Sequence, residues 1–299
     1  MNCCLQSMEK KEQMDFVMQR ARSIVAFNQN MKLKLCGAIP TLSTKIFTIA
    51  QSCPILQTIE NKSDVRKSYW RQRLGYCSNH FIVLLPASIR SVKAPHFILK
   101  DFEQYQNDVN PNARLVIVGP ILDEDYVHQQ PGVGYIIRQS MEFEQRCTSD
   151  DAGTAFAPPL RYLPPISRED LLRLMSDVNV VINTSESEGE CGVILEAMTL
   201  GIPVVARNNS GNAALISHGS TGWLYDTPRE CIDLLAAVYT SCLPQAGDNK
   251  YVYCDSVKDV CNRAKESAFH GHSQEIETTQ YRELLCEVKK THLFTESMS

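Results

Sequence analysis

The sequence lacks most features that mark a specialised environment. It has 12 cysteines but no Cys-x-x-Cys pair, and no Cys/His cluster has zinc spacing. A zinc ribbon and a dithiol redox centre are therefore excluded, and the scattered cysteines read as reduced, mostly buried thiols. No apolar run approaches the ~20 residues that a bilayer span needs. The opening "MNCCLQSMEKKEQMDF" has no apolar h-region, so it does not read as a secretory signal. Basic charge is not in excess. Lys+Arg number 30 against 34 Asp+Glu, the net charge is −4, and the pI is about 6.0. No nucleic-acid partner is expected from that balance. Internal repeats of about 20–50 residues are also missing. What remains is a chain of 299 residues, 43% hydrophobic and 21% charged, long enough for one large domain or two smaller ones. A cytoplasmic location is expected. A glycan on the Asn-x-Ser acceptor at Asn183 would obstruct any pocket beside it, which points the same way.

The chain alternates between helical and extended patterns. Residues 9–22 have helical spacing, "SIVAF" (23–27) reads as a strand, "NQNMKLKLCG" as a short helix ended by Gly37, and "KIFTI" (45–49) as a second strand. Residues 60–80 are polar and basic and read as a solvated helix or connection. From Phe81 the pattern is sharper. Strand-like runs at 81–87, 113–120, 160–165, 178–185, 202–206 and 221–226 alternate with helix-like segments. Residues 121–158 are expected to be an inserted, irregular surface loop. Such alternation predicts βαβ units and a parallel sheet, and near-continuous apolar strands predict helices on both of its faces.

One stretch stands out chemically: "TSESEGECGVILEAMTLGIPVV", Thr184 to Val205. Ligands of open parallel sheets bind at the carboxyl ends of the strands. The loop after the strand "VNVVINTS" lies at that edge. Gly189 and Gly192 let the backbone approach a ligand, and the helix that follows points free N–H groups and a positive dipole end into the crevice. That suits a diphosphate. The acidic residues Glu186, Glu188 and Glu190 fit beside it if they accept hydrogen bonds from the vicinal hydroxyls of a sugar or ribose. Glu196, inside the helix, lies either on the solvent face or in the cleft, and on its own merits the solvent face is favoured. Arg90 and Lys93, in "ASIRSVKAP" after the first strong strand, offer a planar fork and a point charge for phosphates.

The segment "SEGECGVILEAMTLGIPVVARNNSGNAALISHGSTGWLYDTP" resembles the donor-binding core of the retaining glycosyltransferases of family 4, the glycosyl transferases group 1. Glu188, seven residues and Glu196 match its Glu-x7-Glu signature. "LEAM" (195–198), "GIPVV" (201–205) and "HGSTGWLYDTP" match the segments that follow. The resemblance covers about Phe81 to Glu230, with a weaker echo over 9–60. It implies an α/β fold of the GT-B type, with a Rossmann-like C-terminal donor domain and a truncated Rossmann-like N-terminal domain. The expected boundaries are 1–77 for the partial acceptor-side domain, 78–245 for the donor domain and 246–299 for a helical segment. It implies metal-independent transfer of a sugar, with retention, from a UDP- or GDP-linked donor to an acceptor that the sequence leaves open. No further cofactor is implied. Glu188, Arg90 and Lys93 would be catalytic. Glu196 would hold the ribose, and Gly189, Glu190, Cys191, Gly192 and Val193 would line the donor. Glu190 and Cys191 depart from the Phe-Gly or Phe-Pro that many members carry there. The alternative left open is a non-catalytic nucleotide-sugar-binding module or a truncated isoform without the acceptor half.

Overall fold

Two short strands come first. Ile24–Ala26 (β1) and Ile46–Thr48 (β2) pair in parallel in a computed structural model that describes residues 13–53, 69–147, 157–244 and 251–296. Between them runs the helix Gln29–Ala38, started by Asn28, whose side chain accepts from the Met31 amide at 2.9 Å. The helix passes through Gly37, the expected stop, and ends at Ile39, whose conformation the following Pro40 restricts. Ala26, Leu42 and Ile46 form a small core with Met18, Ile24, Met31, Leu35 and Ile39 packed on it. The described residues up to Ser52 and from Gly271 onward make one compact unit. Inside it, Ser52 donates to Glu277 of the last helix, Gln274–Glu296, and the His272 ring meets the Gln51 carbonyl at 3.0 Å.

Cys53–His270 make the second compact unit. All the apolar runs after Phe81 become strands of one six-stranded parallel sheet: Phe81–Pro86 (β3), Ala113–Val118 (β4), Leu160–Leu163 (β5), Val180–Asn183 (β6), Val204–Arg207 (β7) and Trp223–Tyr225 (β8). The spatial order is β5-β4-β3-β6-β7-β8. The chain thus winds outward in one direction from β3, then returns to the middle and winds outward in the other. This is the doubly wound order, and its switch point lies between β3 and β6. Register follows the alternation of side chains. Phe81, Val83 and Leu85 enter one core with Phe102, Ile136 and Leu235; Ile82 and Leu84 enter the other with Leu174, Ile194 and Ala264. A short antiparallel pair, Cys242–Pro244 (β9) and Tyr251–Tyr253 (β10), follows the helix Pro228–Thr240.

Two expectations need correction. Residues 121–147 are not a loop but two helices, Glu124–Gln129 and Pro131–Cys147. Pro131 is the first residue of its helix, where its missing N–H costs nothing. Beyond the misleading Pro131, Gly132 and Gly134, the buried residues Val133, Ile136, Ile137, Ser140 and Phe143 keep helical spacing. Of the polar stretch 60–80, residues 60–68 lie outside the described residues. The rest is not solvated throughout: Trp70 and Arg71 are buried in the helix Tyr69–Arg73. Arg71 holds the His80 carbonyl at 2.9 Å and Asn179 Oδ1 at 2.8 Å. Within the segment 246–299, expected to be helical, the helix Asp255–Gly271 buries Val257, Val260, Cys261, Ala264 and Ala268. The compact units meet at Ser52/Cys53 and at His270/Gly271. The helix Asp255–Gly271 contributes Ala264 and Ala268 to a core of the sheet, while the last helix groups with the N-terminal residues. Among the described residues, no helix is long and apolar enough to cross a membrane.

Candidate functional site

The switch point brings together two loops, one leaving β3 and one leaving β6. They are stitched by two hydrogen bonds to backbone carbonyls. The Thr184 hydroxyl donates to the Lys93 carbonyl at 2.7 Å, and the Glu186 amide donates to the Val92 carbonyl at 2.9 Å. The turn Ser91–Lys93 ends in Ala94, a buried non-glycine residue at φ 43°, a left-handed conformation that persists only where the surroundings enforce it.

Across this seam Lys93 Nζ meets Glu188 Oε1 at 2.6 Å, and both side chains are largely buried. Asn183, the last residue of β6, supports the carboxylate from below. Its Nδ2 lies 3.2 Å from Glu188 Oε1, 3.3 Å from Ser185 Oγ and 3.4 Å from Cys191 Sγ. Its Oδ1 accepts from the Ser185 amide at 3.1 Å and from Asn212 Nδ2 at 2.9 Å, and its carbonyl accepts from Tyr225 Oη at 2.8 Å. Burial pushes the Glu188 pKa up, but hydrogen bonds from Lys93, Ser185 and Asn183 and the Lys93 charge outweigh it. The net result lies below the ordinary value. Glu188 is therefore held as a carboxylate.

The loop is also clamped from the far side. Asn209 donates to the Ser185 carbonyl at 2.9 Å and accepts from the amides of Gly211 and Asn212 at 3.0 Å. At Gly211 a Cβ would sit 2.4 Å from the Glu188 carbonyl oxygen, so the loop backbone rests directly on this glycine. Arg207 pairs with Glu186 at 3.8 Å and lies 3.9 Å from the Phe97 ring centroid.

The helix after the loop is Gly192–Leu200, as expected. Its N-cap is Cys191, whose side chain makes no capping bond, and a Cβ on Gly192 would meet nothing within 4 Å. The helix start thus faces open space. Cys191 itself is buried, and burial pushes its thiol up to about 12, which fits a packing residue and not a nucleophile. Gly189, Glu190 and Val193 are half-buried along the same rim.

Glu196 corrects the solvent-face reading. It is buried, because Ile194, Leu195, Ala197, Met198 and Thr199 around it are buried too. Its counter-ion comes from the neighbouring helix Arg168–Asp177. Arg168 Nη2 lies 2.9 Å and Nε 3.1 Å from Glu196 Oε1. Burial raises the Glu196 pKa, and Arg168 offsets part of that rise. Arg90 is not drawn into this cluster. Its side chain is exposed and makes no hydrogen bond or ion pair among the described residues. The sequence reading assigned no role to Asn183, Asn209, Gly211, Asn212 or Arg168. The run "NNSGN" was a usable sign, since Asn and Gly together mark backbone-binding turns. For Arg168 no local signal exists.

Comparison with known proteins adds to this geometry. The family model described as Glycosyl transferases group 1 matches residues 67–241, more than half of the 299 residues. Glycosyltransferase 1 domain-containing protein 1 of Xenopus tropicalis is 27% identical over 278 residues, covering 93% of this chain and 70% of that protein. A D-inositol 3-phosphate glycosyltransferase of Nocardioides sp. is 30% identical over 175 residues, covering 58% of this chain but 37% of that protein. Among solved structures, Anabaena HepE in complex with UDP and glucose superposes with a TM-score of 0.68 at 21% identity, over 93% of this chain and 66% of that one. HepE with UDP-glucose gives 0.64 at 22% identity, over 89% and 64%. At such identities the likeness speaks for the fold alone, and that fold is α/β of the GT-B type.

Proposed function

The chain belongs to the glycosyl transferases group 1 family, and on that premise we propose that it transfers a sugar from a nucleotide-diphospho-sugar, in the manner of the retaining family 4 enzymes. The observation that carries this reading is the contact of Lys93 with Glu188 at the sheet's switch point, beside an uncapped helix start. The donor half of the reaction is assigned to residues 78–245. In the proposed step the sugar C1–O bond to the diphosphate breaks, and its electron pair leaves on the diphosphate. An acceptor hydroxyl bonds to C1 on the same face and gives its proton to the departing phosphate oxygen. Lys93, the exposed Arg90 and the amides at Gly192 and Val193 meet the developing negative charge. Glu188 accepts from sugar hydroxyls, which is why a firmly ionised carboxylate suits it. Glu196 accepts from the ribose. Gly189, Glu190 and Cys191 line the sugar through their backbone. These side chains and amides supply the positive charge that a metal ion would otherwise bring, so the reaction is proposed to be metal-independent.

UDP-linked donors come first as candidates, because HepE was solved with UDP and UDP-glucose; GDP is the second candidate. A cytoplasmic location is part of the same proposal, in line with the free thiols of the described residues. Calorimetry with UDP, GDP and their sugars in chelator-treated buffer tests the reading. Binding followed by slow donor hydrolysis or transfer supports the enzyme. Binding with neither supports the nucleotide-sugar-binding module, and no binding of any nucleotide sinks both. Glu196→Ala should weaken nucleotide binding by about 1–3 kcal/mol, the usual cost of losing a charged hydrogen bond.

A further inference from the structure

The ribose role of Glu196 requires more than a glutamate at the right place. The carboxylate must be ionised, and one of its oxygens must be turned to the ligand. On this helix nothing apolar can do either. The helix Gly192–Leu200 packs on β6, β7 and the helices Asn212–Leu215 and Arg168–Asp177. The strands and the first of these helices bring Val181, Val204, Ala206 and Leu215 to the shared core. Of the charged groups on these elements, Arg207 turns to Glu186, Arg173 pairs with Glu169 and Asp170 on its own helix, and Asp177 accepts from the Trp70 amide. Arg168 is the charged group that acts on Glu196 among the described residues.

Its geometry is one-sided. Both contacts, 2.9 Å from Nη2 and 3.1 Å from Nε, fall on Oε1, and among the described residues no donor meets Oε2. Arg168 is itself well placed to hold still. It is the first residue of a helix whose N-cap, Ser167, accepts from the Asp170 amide at 3.1 Å. It is also half-exposed, with its side chain 52% accessible, so it does not fill a core.

We infer that Arg168 is a positioning residue: it holds Oε1 of Glu196 so that Oε2 is presented to the ribose hydroxyls of the nucleotide. The inference rests on the functional reading above and adds a residue to it. A guanidinium fork fixes a carboxylate plane in a way that a lysine point charge does not. It also offsets part of the preference for the neutral acid that burial imposes on Glu196. Removing Arg168 therefore has two consequences. Affinity falls because the carboxylate is no longer aimed. The loss of affinity on acidification also moves to higher pH, because the Glu196 pKa rises further.

The test uses the full chain with UDP and GDP as probes, titrated by calorimetry from neutral to acid pH. Arg168→Gln should weaken the better-bound nucleotide about tenfold, in line with one lost charged hydrogen bond. Its acid limb should lie at higher pH than in the wild type. Arg168→Lys should keep the acid limb near the wild-type position and recover part of the affinity. Arg173→Gln, on the same helix but paired with Glu169 and Asp170, should change neither quantity. If Arg168→Gln binds as tightly as wild type with the same acid limb, the inference is overturned while the functional reading stands. An Arg168→Lys variant as weak as Arg168→Gln, with the same displaced limb, also overturns it. If the wild type binds neither nucleotide, the functional reading fails, and the inference with it.

Discussion

The loop Thr184–Cys191 holds the half-buried Glu188 and the helix Gly192–Leu200 the buried Glu196, by different means. Glu188 sits among polar partners. Lys93, Ser185 and Asn183 favour its ionised form strongly enough to overcome burial. Glu196 sits in an apolar helix with one cation, and burial wins over Arg168. In the loop, the hydrogen-bond network comes from several separate strand ends and holds backbone and side chain together. In the helix, backbone order comes from the helix itself, and only the carboxylate needs an outside partner. A loop at a sheet edge can thus be as firmly set as a helix, provided that neighbouring elements supply its order. The difference also separates two jobs: an acceptor that stays ionised, and one whose ionisation depends on a single neighbour.

The strongest test of the comparison is Gly211→Ala. The added Cβ would collide with the Glu188 carbonyl at 2.4 Å, and the obstacle is backbone, which cannot rotate away. The loop must shift and the Asn209 clamp must open. A loss of about 3 kcal/mol in stability is expected, at the upper end of ordinary point mutations. Urea denaturation measures it. Nucleotide-sugar binding should suffer more than binding of the nucleotide alone, because the atoms that the new Cβ would meet belong to Glu188, the residue assigned to the sugar. A variant as stable as wild type would mean that the loop is not held from this side.

Next comes Asn183→Ala, which removes the support beneath Glu188. Ser185, Cys191 and Asn212 would each lose a partner in a buried place, for a cost of about 2 kcal/mol. The same denaturation experiment reads it. An effect below about 0.5 kcal/mol, the scale of an ordinary surface change, would show that water replaces the amide.

These two residues also show where sequence reading stops. The strands after Phe81, the helix Gly192–Leu200 and the place of Arg90 and Lys93 just after the first strong strand were all legible. Each rests on a local pattern: apolar runs, a glycine-bearing loop before a helix, a basic pair after a strand. Asn183, Asn212 and Arg168 were not, because their roles depend on which strand ends meet at the switch point, a fact of topology. Between the solvent face and the cleft, Glu196 could not be placed from its own segment for the same reason. Its neighbours in the chain say helix, and only the packing of the sheet and the helix Arg168–Asp177 says that the helix is enclosed. The helices within 121–147 were hidden differently. Pro131, Gly132 and Gly134 are strong local signals for a break, but a proline at a helix start breaks nothing.

A smaller effect separates the two carboxylates by sign. Glu188 has a lowered pKa in the folded protein, so its ionisation adds stability above the unfolded value. That stability is lost as pH falls through its folded pKa, below the ordinary 4.5. Glu196 has a raised pKa, so its contribution is fully present below the ordinary 4.5 and is lost as pH rises through its folded pKa. Denaturation curves of Glu188→Gln and Glu196→Gln across the acid range check this. The stability lead of wild type over Glu188→Gln should grow with pH, and its lead over Glu196→Gln should shrink. Parallel trends would erase the distinction between the two sites.

The smallest effect is expected at Cys191, the joint between the loop and the helix. It is the N-cap, yet its side chain makes no capping bond, and its Sγ accepts at 3.4 Å from Asn183. With the thiol pushed up to about 12, no thiolate is available at neutral pH for attack on a sugar. Cys191→Ala removes only the sulfur, a buried atom with one weak partner, at a cost of about 1 kcal/mol in stability. Nucleotide affinity should stay within about twofold, since the helix-start amides are backbone and keep their place. A collapse of transfer with binding intact would instead make the sulfur a reacting group, and the joint would then belong to the chemistry of the loop and not to the packing of the helix.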